Sequence, residues 1–339
     1  MKKLFAAAGA LAMALMSGGA FAADAPVNLK FSHWVPPSHP LQAAYEGWAK
    51  SIKEESGGSL TITIYPAQQL GKAFDHYDMA RDGIADITYV SPGYQPGRFP
   101  IFALGSVPFL VANAKGGSAA LDEWYRAYAG TEMKDVHFCL AHFHDPGTFH
   151  SNKKIVVPAD IRGLKIRPAT GTIASFITLL GGTNVQASAP EARDVIARGV
   201  ADGITFPWRS LVLFGIDKVV KYHLDMPFYV TPFVQVMNKA KYESLSAAQK
   251  KVIDDHCNTA WAEKIASPWA DFEASGRDMI RKEPGHEFIE PTPAQIAEWR
   301  KAAVPLKADW ARDVKKAGGD PDKIFAAFEA SMKKYGAAY

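Results

Sequence analysis

The segment GLKIRP, residues 163–168, places an arginine at the end of a short predicted strand. Leu164 and Ile166 alternate with basic residues, as in a half-buried strand, and Pro168 ends the strand because proline has no N–H for the ladder. The following PATGT leads directly into a helix-forming segment, and the free N–H groups at a helix start favour an anion. A guanidinium binds a carboxylate through two parallel charge-assisted hydrogen bonds. The sequence therefore predicts that Arg167 anchors an organic acid.

Aromatic or cationic side chains follow each of the predicted strands that could border a cleft. In two-lobed α/β proteins, ligands bind at the carboxyl ends of the parallel strands. Because several such ends can converge on one rim, we expect their side chains to form one binding site. The candidates in these positions are His33, Trp34, Tyr94, His144, Arg167, Phe206, Trp208 and Arg209.

The segment HFHDPGTFH contains three histidines and suggests an alternative in which the protein is an enzyme. His142 and His144 share one face of a predicted strand, so two imidazoles could meet one metal ion. Asp145 points to the other face, and no other residue stands at a convincing spacing for a third ligand, so we predict no metal site. The alternative function is a secreted hydrolase or lyase that uses His142, His144 and His150.

Motifs of known enzyme classes are absent from the sequence. It contains no G-x-S-x-G, no H-E-x-x-H, no P-loop, and no G-x-G-x-x-G after a predicted strand. We therefore predict a binding protein without catalytic activity and without a cofactor.

The elements that would position these residues are those of an α/β fold with two similar lobes. VNLKFSH and SLTITIY flank a helical pattern, which makes a β-α-β unit with parallel strands. The segments ARDGIADITYV and ARGVADGITF, 80–90 and 197–206, repeat one order of helix end, glycine and buried strand. A breaker at 145–147 marks the crossing between lobes, and we place the return crossing at 228–238. The predicted lobes are 23–146 with about 239–268, and 147–238 with about 269–339.

A long apolar stripe near the carboxyl end predicts a helix that braces both lobes. From Ala247 to Lys282 apolar residues recur at helical steps, and such a helix would reach roughly 54 Å. Pro268 should kink it. Two shorter helices are predicted around 294–314, interrupted by a proline, and around 320–335.

The amino terminus has the pattern of a secretory signal peptide. Lys2 and Lys3 precede an apolar run and the small residues of a cleavage site, which predicts a signal peptide at residues 1–22 and a soluble, exported protein. About 317 residues would remain, a length typical of two domains. The formal net charge of the chain is +3, and the loss of the two lysines reduces it further. Neither nucleic acid nor an anionic membrane is an expected partner.

The sequence contains two cysteines, Cys139 and Cys257, too few for a disulfide scaffold. Each lies in an apolar segment where a free thiol also buries well. The sequence is therefore compatible with a disulfide between these cysteines and with two buried thiols.

Four segments carry a family likeness that covers nearly the whole chain after residue 22. LKFSHWVPPSHP, GKAFDHYDMARDGIADI, PADIRGLKIRP and ARGVADGITFPWRS resemble the solute-binding component of tripartite ATP-independent periplasmic (TRAP) transporters, the dicarboxylate-binding-protein family. The resemblance implies a two-lobed periplasmic binding protein fold with a cleft between the lobes and a long helix spanning both. It also implies that Arg167 pairs with the substrate carboxylate, and that the acid is delivered in the periplasm to a sodium-driven TRAP membrane permease.

Departures from the family pattern bear on the ligand. Gly147 stands where some relatives have a second arginine, and Phe206 stands where those relatives tend to have asparagine. Trp34 and Phe74 occupy positions where polar ligand contacts are common. One anion anchor beside an aromatic wall predicts a monocarboxylate with an aromatic or bulky apolar body. Arg209 leaves a second anion contact open.

Overall fold

The structure is a computed structural model that describes residues 24–339. The predicted signal peptide, residues 1–22, lies outside the described residues. Within the described part of the chain, no helix is both long enough and apolar enough to cross a membrane.

Residues 24–339 form eleven strands and twelve α-helices. The strands are β1 (Val27–Ser32), β2 (Leu60–Tyr65), β3 (Ile87–Val90), β4 (Val136–Phe143), β5 (Thr148–Ser151), β6 (Lys165–Arg167), β7 (Thr183–Asn184), β8 (Gly203–Phe206), β9 (Tyr222–Leu224), β10 (Pro232–Asn238) and β11 (Glu287–Ile289). The helices are α1 (Pro40–Glu55), α2 (His76–Arg81), α3 (Ala114–Glu132), α4 (Gly171–Leu179), α5 (Ala192–Ala197), α6 (Trp208–Leu213), α7 (Lys239–Ser244), α8 (Ala247–His256), α9 (Thr259–Ala274), α10 (Gly276–Lys282), α11 (Pro293–Lys316) and α12 (Pro321–Lys334).

The first lobe is built on a five-stranded sheet in the order β2-β1-β3-β10-β4. β1 is parallel to β2 and to β3, which confirms the predicted β-α-β unit around α1. β10 is antiparallel to β3 and β4 and completes the sheet. The parallel strands β1 and β3 therefore direct the residues that follow them to one edge.

The second lobe is built on a six-stranded sheet in the order β11-β9-β5-β8-β6-β7. β6 is parallel to β7 and β8, whereas β5 is antiparallel to β8. Arg167 is the last residue of β6 and lies opposite Ile204 of β8. Pro168 follows the strand, in agreement with the sequence pattern.

Two of the connections that cross between the lobes join strands of the two sheets directly, and one of them lies earlier than we predicted. Residues 144–147 join β4 to β5, and residues 225–231 join β9 to β10. The prediction that the second lobe runs to residue 238 is wrong, because β10 pairs in the first sheet. Apolar alternation identifies a strand, but it does not say which sheet the strand joins.

The two crossings are hydrogen bonded to each other. The backbone N–H of Gly147 donates to the Tyr229 carbonyl at 2.8 Å. A Cβ at Gly147 would lie 2.6 Å from the Phe206 carbonyl oxygen, so a side chain at this position would require the backbone to move. The glycine is thus explained by close approach of two backbones.

The prediction of one continuous helix over 247–282 is wrong. The segment forms α8, α9 and α10, and Pro268 lies inside α9. The first break falls where Cys257 is disulfide bonded and Asn258 caps α9 by accepting from the Trp261 N–H at 3.1 Å. Apolar spacing alone does not detect these local restraints. α9 nevertheless packs on α1 and α3 of the first lobe and on α6 of the second, so it does brace both lobes.

The carboxyl-terminal helices also differ from the prediction. α11 continues through Pro305 as one helix of 24 residues. α12 packs on α3, and Ser331 donates to the Ala120 carbonyl at 2.9 Å. The end of the chain therefore returns to the first lobe, and the assignment of all of 269–339 to the second lobe is wrong.

Cys139 and Cys257 form a disulfide, with 4.4 Å between their Cα atoms. The bond joins β4 to the segment between α8 and α9, across 118 residues of sequence. Both residues are buried in the core of the first lobe. The alternative of two free thiols does not hold.

Candidate ligand-binding site

A narrow cavity lies between the lobes, beside the carboxyl ends of β1, β3, β6 and β8, and about 30 Å³ of it is open to a water-sized molecule. The first lobe and α9 contribute Trp34, His39, Ser91, Tyr94, Phe233 and Trp269. The second lobe contributes Arg167, Ala189, Phe206, Ser210 and Phe214, and the crossings contribute His144, Tyr229 and Thr231.

Arg167 lines this cavity and is held in place by neutral partners. Its side chain is buried, with only 1% of the residue exposed. Nε donates to the Ala187 carbonyl at 2.8 Å, and Nη2 donates to the Tyr94 hydroxyl at 3.0 Å. The Tyr94 hydroxyl in turn accepts from the Ala189 N–H at 2.9 Å. Contacts from both lobes therefore fix the plane of the guanidinium.

No carboxylate among residues 24–339 forms an ion pair with Arg167. Arginine stays protonated in proteins. None of the ion pairs within residues 24–339 includes Arg167. A buried charge without an opposite charge is costly. The electrostatics of the cavity therefore favour an anionic ligand.

The rest of the cavity wall is largely aromatic. Trp34 stacks on Tyr89 at 5.1 Å between ring centroids and lies 6.1 Å from Phe233. The Phe206 ring lies 5.9 Å from Cζ of Arg167. Such a wall favours a flat or bulky apolar body beside the charged group of the ligand.

The two histidines that line the cavity are neutral at pH 7. Burial lowers the pKa of His39 to about 3 and that of His144 to about 4. His144 donates from Nδ1 to the Asp145 carbonyl, and its Nε2 accepts from the Thr231 N–H at 3.1 Å. Arg167 is thus the one charged group among the described residues that line the cavity.

Five of the predicted site residues line the cavity: Trp34, Tyr94, His144, Arg167 and Phe206. The same strand-end rule could have found Ser91, which follows β3 directly. His39, Tyr229, Phe233 and Trp269 were missed because they come from a helix cap, a crossing, a returning strand and a distant helix.

Four other predicted residues lie outside the cavity, and the predictions that place them in it are wrong. His33 turns toward α1, where its Nε2 lies 2.7 Å from Gln42 Oε1. Phe74 packs behind the cavity against Tyr94, with 4.8 Å between ring centroids. A strand end fixes the place of the backbone, but successive side chains then point in different directions.

The direction of the side chain also keeps Trp208 and Arg209 out of the cavity. Trp208 begins α6 and stacks on Phe288 inside the second lobe, with centroids 5.4 Å apart. Arg209 carries its guanidinium over the Phe272 ring at 5.3 Å. Its charge does not reach the cavity, so Arg209 does not supply a second anion contact.

The three histidines of the enzyme alternative do not converge. His142 stacks on Tyr89 within the first lobe, with 5.6 Å between the rings. His150 lies in the second sheet, where Nε2 donates to the Phe206 carbonyl at 3.1 Å and Nδ1 lies 2.8 Å from Nδ1 of His223. Residues 24–339 contain no group of three or more side chains able to hold a metal ion. Nothing in this arrangement supports hydrolase or lyase chemistry.

The lobes touch through two glycines at the mouth of the cleft. A Cβ at Gly93 of the first lobe would lie 2.8 Å from Cβ and Cγ2 of Thr170 in the second. A Cβ at Gly171 would lie 3.1 Å from Cβ of Pro96. The Thr170 hydroxyl caps α4 by accepting from the Ile173 N–H at 3.3 Å, which restrains that side chain. The closed arrangement therefore depends on small residues at this contact.

We expect Gly93→Ala to hold the lobes apart and weaken ligand binding about tenfold to 100-fold, since overpacking typically costs about 1–3 kcal/mol. Calorimetry measures the affinity, and small-angle scattering at saturating ligand should show a larger radius of gyration than for the unaltered protein. Gly47→Ala is the matched control, because Gly47 is exposed on α1 and an added Cβ there meets no atom within 4 Å. Unchanged affinity and radius in Gly93→Ala would count against the contact as a requirement for closure.

Comparison with known proteins agrees with this geometry. Residues 31–313 match the bacterial extracellular solute-binding protein family 7. A TRAP solute-binding protein from Rhodoferax ferrireducens, solved in complex with copurified benzoate, is 28% identical with a TM-score of 0.86 and covers 91% of this chain and 98% of its own.

Two further solved structures are similar over the same extent. A marine metagenome TRAP solute-binding protein from an unidentified microbe, specific for aromatic acid ligands and in complex with metahydroxyphenylacetate, is 33% identical, with a TM-score of 0.84 and coverage of 91% and 99%. A TRAP periplasmic solute-binding protein from Bordetella bronchiseptica with bound mandelate is 28% identical, with a TM-score of 0.85 and coverage of 91% and 99%. These relatives are transport receptors for organic acids and not enzymes. The chain belongs to the bacterial extracellular solute-binding protein family 7, the family of the TRAP solute receptors.

Proposed function

We propose that the protein captures an aromatic monocarboxylate between its lobes, with Arg167 holding the carboxylate, and delivers it in the periplasm to a TRAP-type membrane permease. The observation that carries the proposal is the buried guanidinium of Arg167, which lines the cavity and forms no ion pair with a carboxylate of residues 24–339. Benzoate, mandelate and metahydroxyphenylacetate, the ligands of the similar proteins, all join one carboxylate to one ring.

The choice of a monocarboxylate follows from the charges around the cavity. A dicarboxylate would bury two negative charges against the single cation Arg167, since His39 and His144 are neutral. The second carboxylate would remain uncompensated, which is costly in a buried site. An aromatic ring instead meets the walls formed by Trp34 and Phe206.

We expect aryl acids such as benzoate, phenylacetate and mandelate to bind about two orders of magnitude more tightly than succinate or a sugar acid. Burial of about 100 Å² of apolar ligand surface contributes roughly 2.5 kcal/mol, and ring pairing adds about 0.5–1.5 kcal/mol. Isothermal titration calorimetry on the mature protein measures the series. Succinate or a sugar acid binding as tightly as the aryl acids would show that the proposed ligand class is wrong.

Delivery to a permease can be tested by transport. Proteoliposomes that carry the cognate TRAP permease should take up the radiolabelled aryl acid with the highest affinity in the calorimetric series only when this receptor is added outside. Uptake that does not depend on the receptor would contradict the proposed partner.

A further inference from the structure

Two buried polar side chains that line the cavity have no hydrogen-bond partner within residues 24–339. They are the Trp34 indole Nε1 and the Ser91 hydroxyl. The residues are only 4% and 2% exposed, respectively. Buried polar groups in folded proteins are nearly always hydrogen bonded, and an unpaired one destabilises the fold. Their shared position on one cavity indicates that a bound molecule supplies the partners.

Both groups lie on the first-lobe side of the cavity. Trp34 and Ser91 follow β1 and β3, which are adjacent parallel strands paired at Ser32 and Thr88, so both leave the same edge of the sheet. The acid therefore meets Arg167 with its carboxylate, and Trp34 and Ser91 on the first-lobe wall.

The hydrogen-bonding types of Trp34 and Ser91 restrict what can lie against them. An indole N–H only donates, whereas a serine hydroxyl both donates and accepts. A ligand hydroxyl can accept from Trp34 Nε1 and donate to Ser91 Oγ, which pairs both groups at once. A second carboxylate there would have to share Arg167 with the first, because the histidines that line the cavity are neutral and Arg167 is the one cation among the described lining residues.

We propose that Trp34 Nε1 and Ser91 Oγ form a specificity site for a neutral hydroxyl group on the body of the acid, so that the ligand is a hydroxylated monocarboxylate. This inference rests on the proposed function and adds the first-lobe wall to it. Arg167 holds the carboxylate, and the hydroxyl site selects among acids of the same charge.

The test compares acids that differ by a single hydroxyl group. Calorimetry on the full mature protein measures benzoate against 3-hydroxybenzoate and 4-hydroxybenzoate, and phenylacetate against 4-hydroxyphenylacetate. We expect at least one hydroxylated acid in the series to bind about tenfold more tightly than its parent. In Ser91→Ala and in Trp34→Phe this ratio should fall toward one. Ser106→Ala, a buried serine of the same lobe outside the cavity, is the matched control and should keep the ratio.

The outcomes separate this inference from the proposed function. If the parent acids bind and Arg167→Ala abolishes that binding, but no hydroxyl group adds affinity, the hydroxyl site is wrong and the carboxylate site stands. A hydroxyl preference that survives in both Ser91→Ala and Trp34→Phe also overturns the hydroxyl site. Tighter binding of isophthalate than of 3-hydroxybenzoate would show that the first-lobe wall takes an anion, which overturns it as well. If no aryl acid binds, both the hydroxyl site and the proposed function are wrong.

Discussion

Replacement of Arg167 by alanine should weaken the binding of an aryl acid by about 100-fold or more while leaving the fold intact. Charge-assisted hydrogen bonds contribute roughly 1.5–3 kcal/mol each, so the loss of a bidentate pair corresponds to at least two orders of magnitude in affinity. The variant also removes a buried cation that forms no ion pair within residues 24–339, and for that reason the unliganded protein should lose little stability. Calorimetry with benzoate measures the affinity, and thermal unfolding without ligand measures the stability.

Arg167→Lys should restore little of the lost affinity. A lysine ammonium is a compact point charge and cannot reproduce the planar fork that Ala187 and Tyr94 orient. Arg209→Ala is the matched control, because Arg209 stands in the same lobe but carries its charge over Phe272, away from the cavity. Near-normal affinity in Arg167→Ala, or a comparable loss in Arg209→Ala, would contradict the assignment of the anion site.

Arg167 could be predicted from sequence because its role depends on local pattern. The alternation of apolar and basic residues predicts the strand, and Pro168 predicts where it ends. The carboxyl end of such a strand in an α/β lobe faces the cleft. The same rule gave a wrong prediction for Trp208, because this residue is already inside α6 and its ring turns into the second lobe. The position of a backbone follows from local pattern, whereas the direction of a side chain after a strand depends on tertiary packing.

The residues that the sequence did not reveal share a different property. Phe233 comes from a strand that crosses back to the first sheet, and Trp269 comes from a helix more than 200 residues after β1. Their presence in the cavity depends on contacts between elements distant in sequence. A single sequence contains no signal for such contacts. The break between α8 and α9 also involves residues distant in sequence, because it falls at Cys257, which is disulfide bonded to Cys139.

We expect the unliganded protein to lose stability steeply as the pH falls below about 6.5. Burial lowers the pKa of six histidines to between about 2 and about 4 in the folded state, from 6.5 in an unfolded chain: His33, His39, His142, His144, His150 and His223. Between these values the unfolded chain binds protons that the folded protein does not, so acid favours unfolding. One such histidine destabilises the folded state by about 2 kcal/mol between pH 7 and pH 5. Four carboxyl groups that are buried or half-buried have raised pKa values and act in the opposite direction: Asp122, Glu132, Asp145 and Glu273.

His142→Phe isolates the histidine contribution at one position. The His142 ring is fully buried, stacks on Tyr89, and has no partner for either nitrogen within residues 24–339, so phenylalanine keeps its shape and removes only a titratable, unpaired group. Because the folded pKa of His142 is about 3, the variant should be more stable than the unaltered protein at pH 5. Its free energy of unfolding should also depend less on pH, by up to about 1.4 kcal/mol per pH unit between pH 4 and pH 6. Urea unfolding at pH 5, 6 and 8 measures both effects, and the difference in pH dependence should vanish near pH 8, where the imidazole is neutral in both states. Parallel curves for the two proteins across this range would mean that His142 is not held neutral by burial. The slope reports the bound proton, whereas a change in packing alone would displace the curve of the variant by the same amount at every pH.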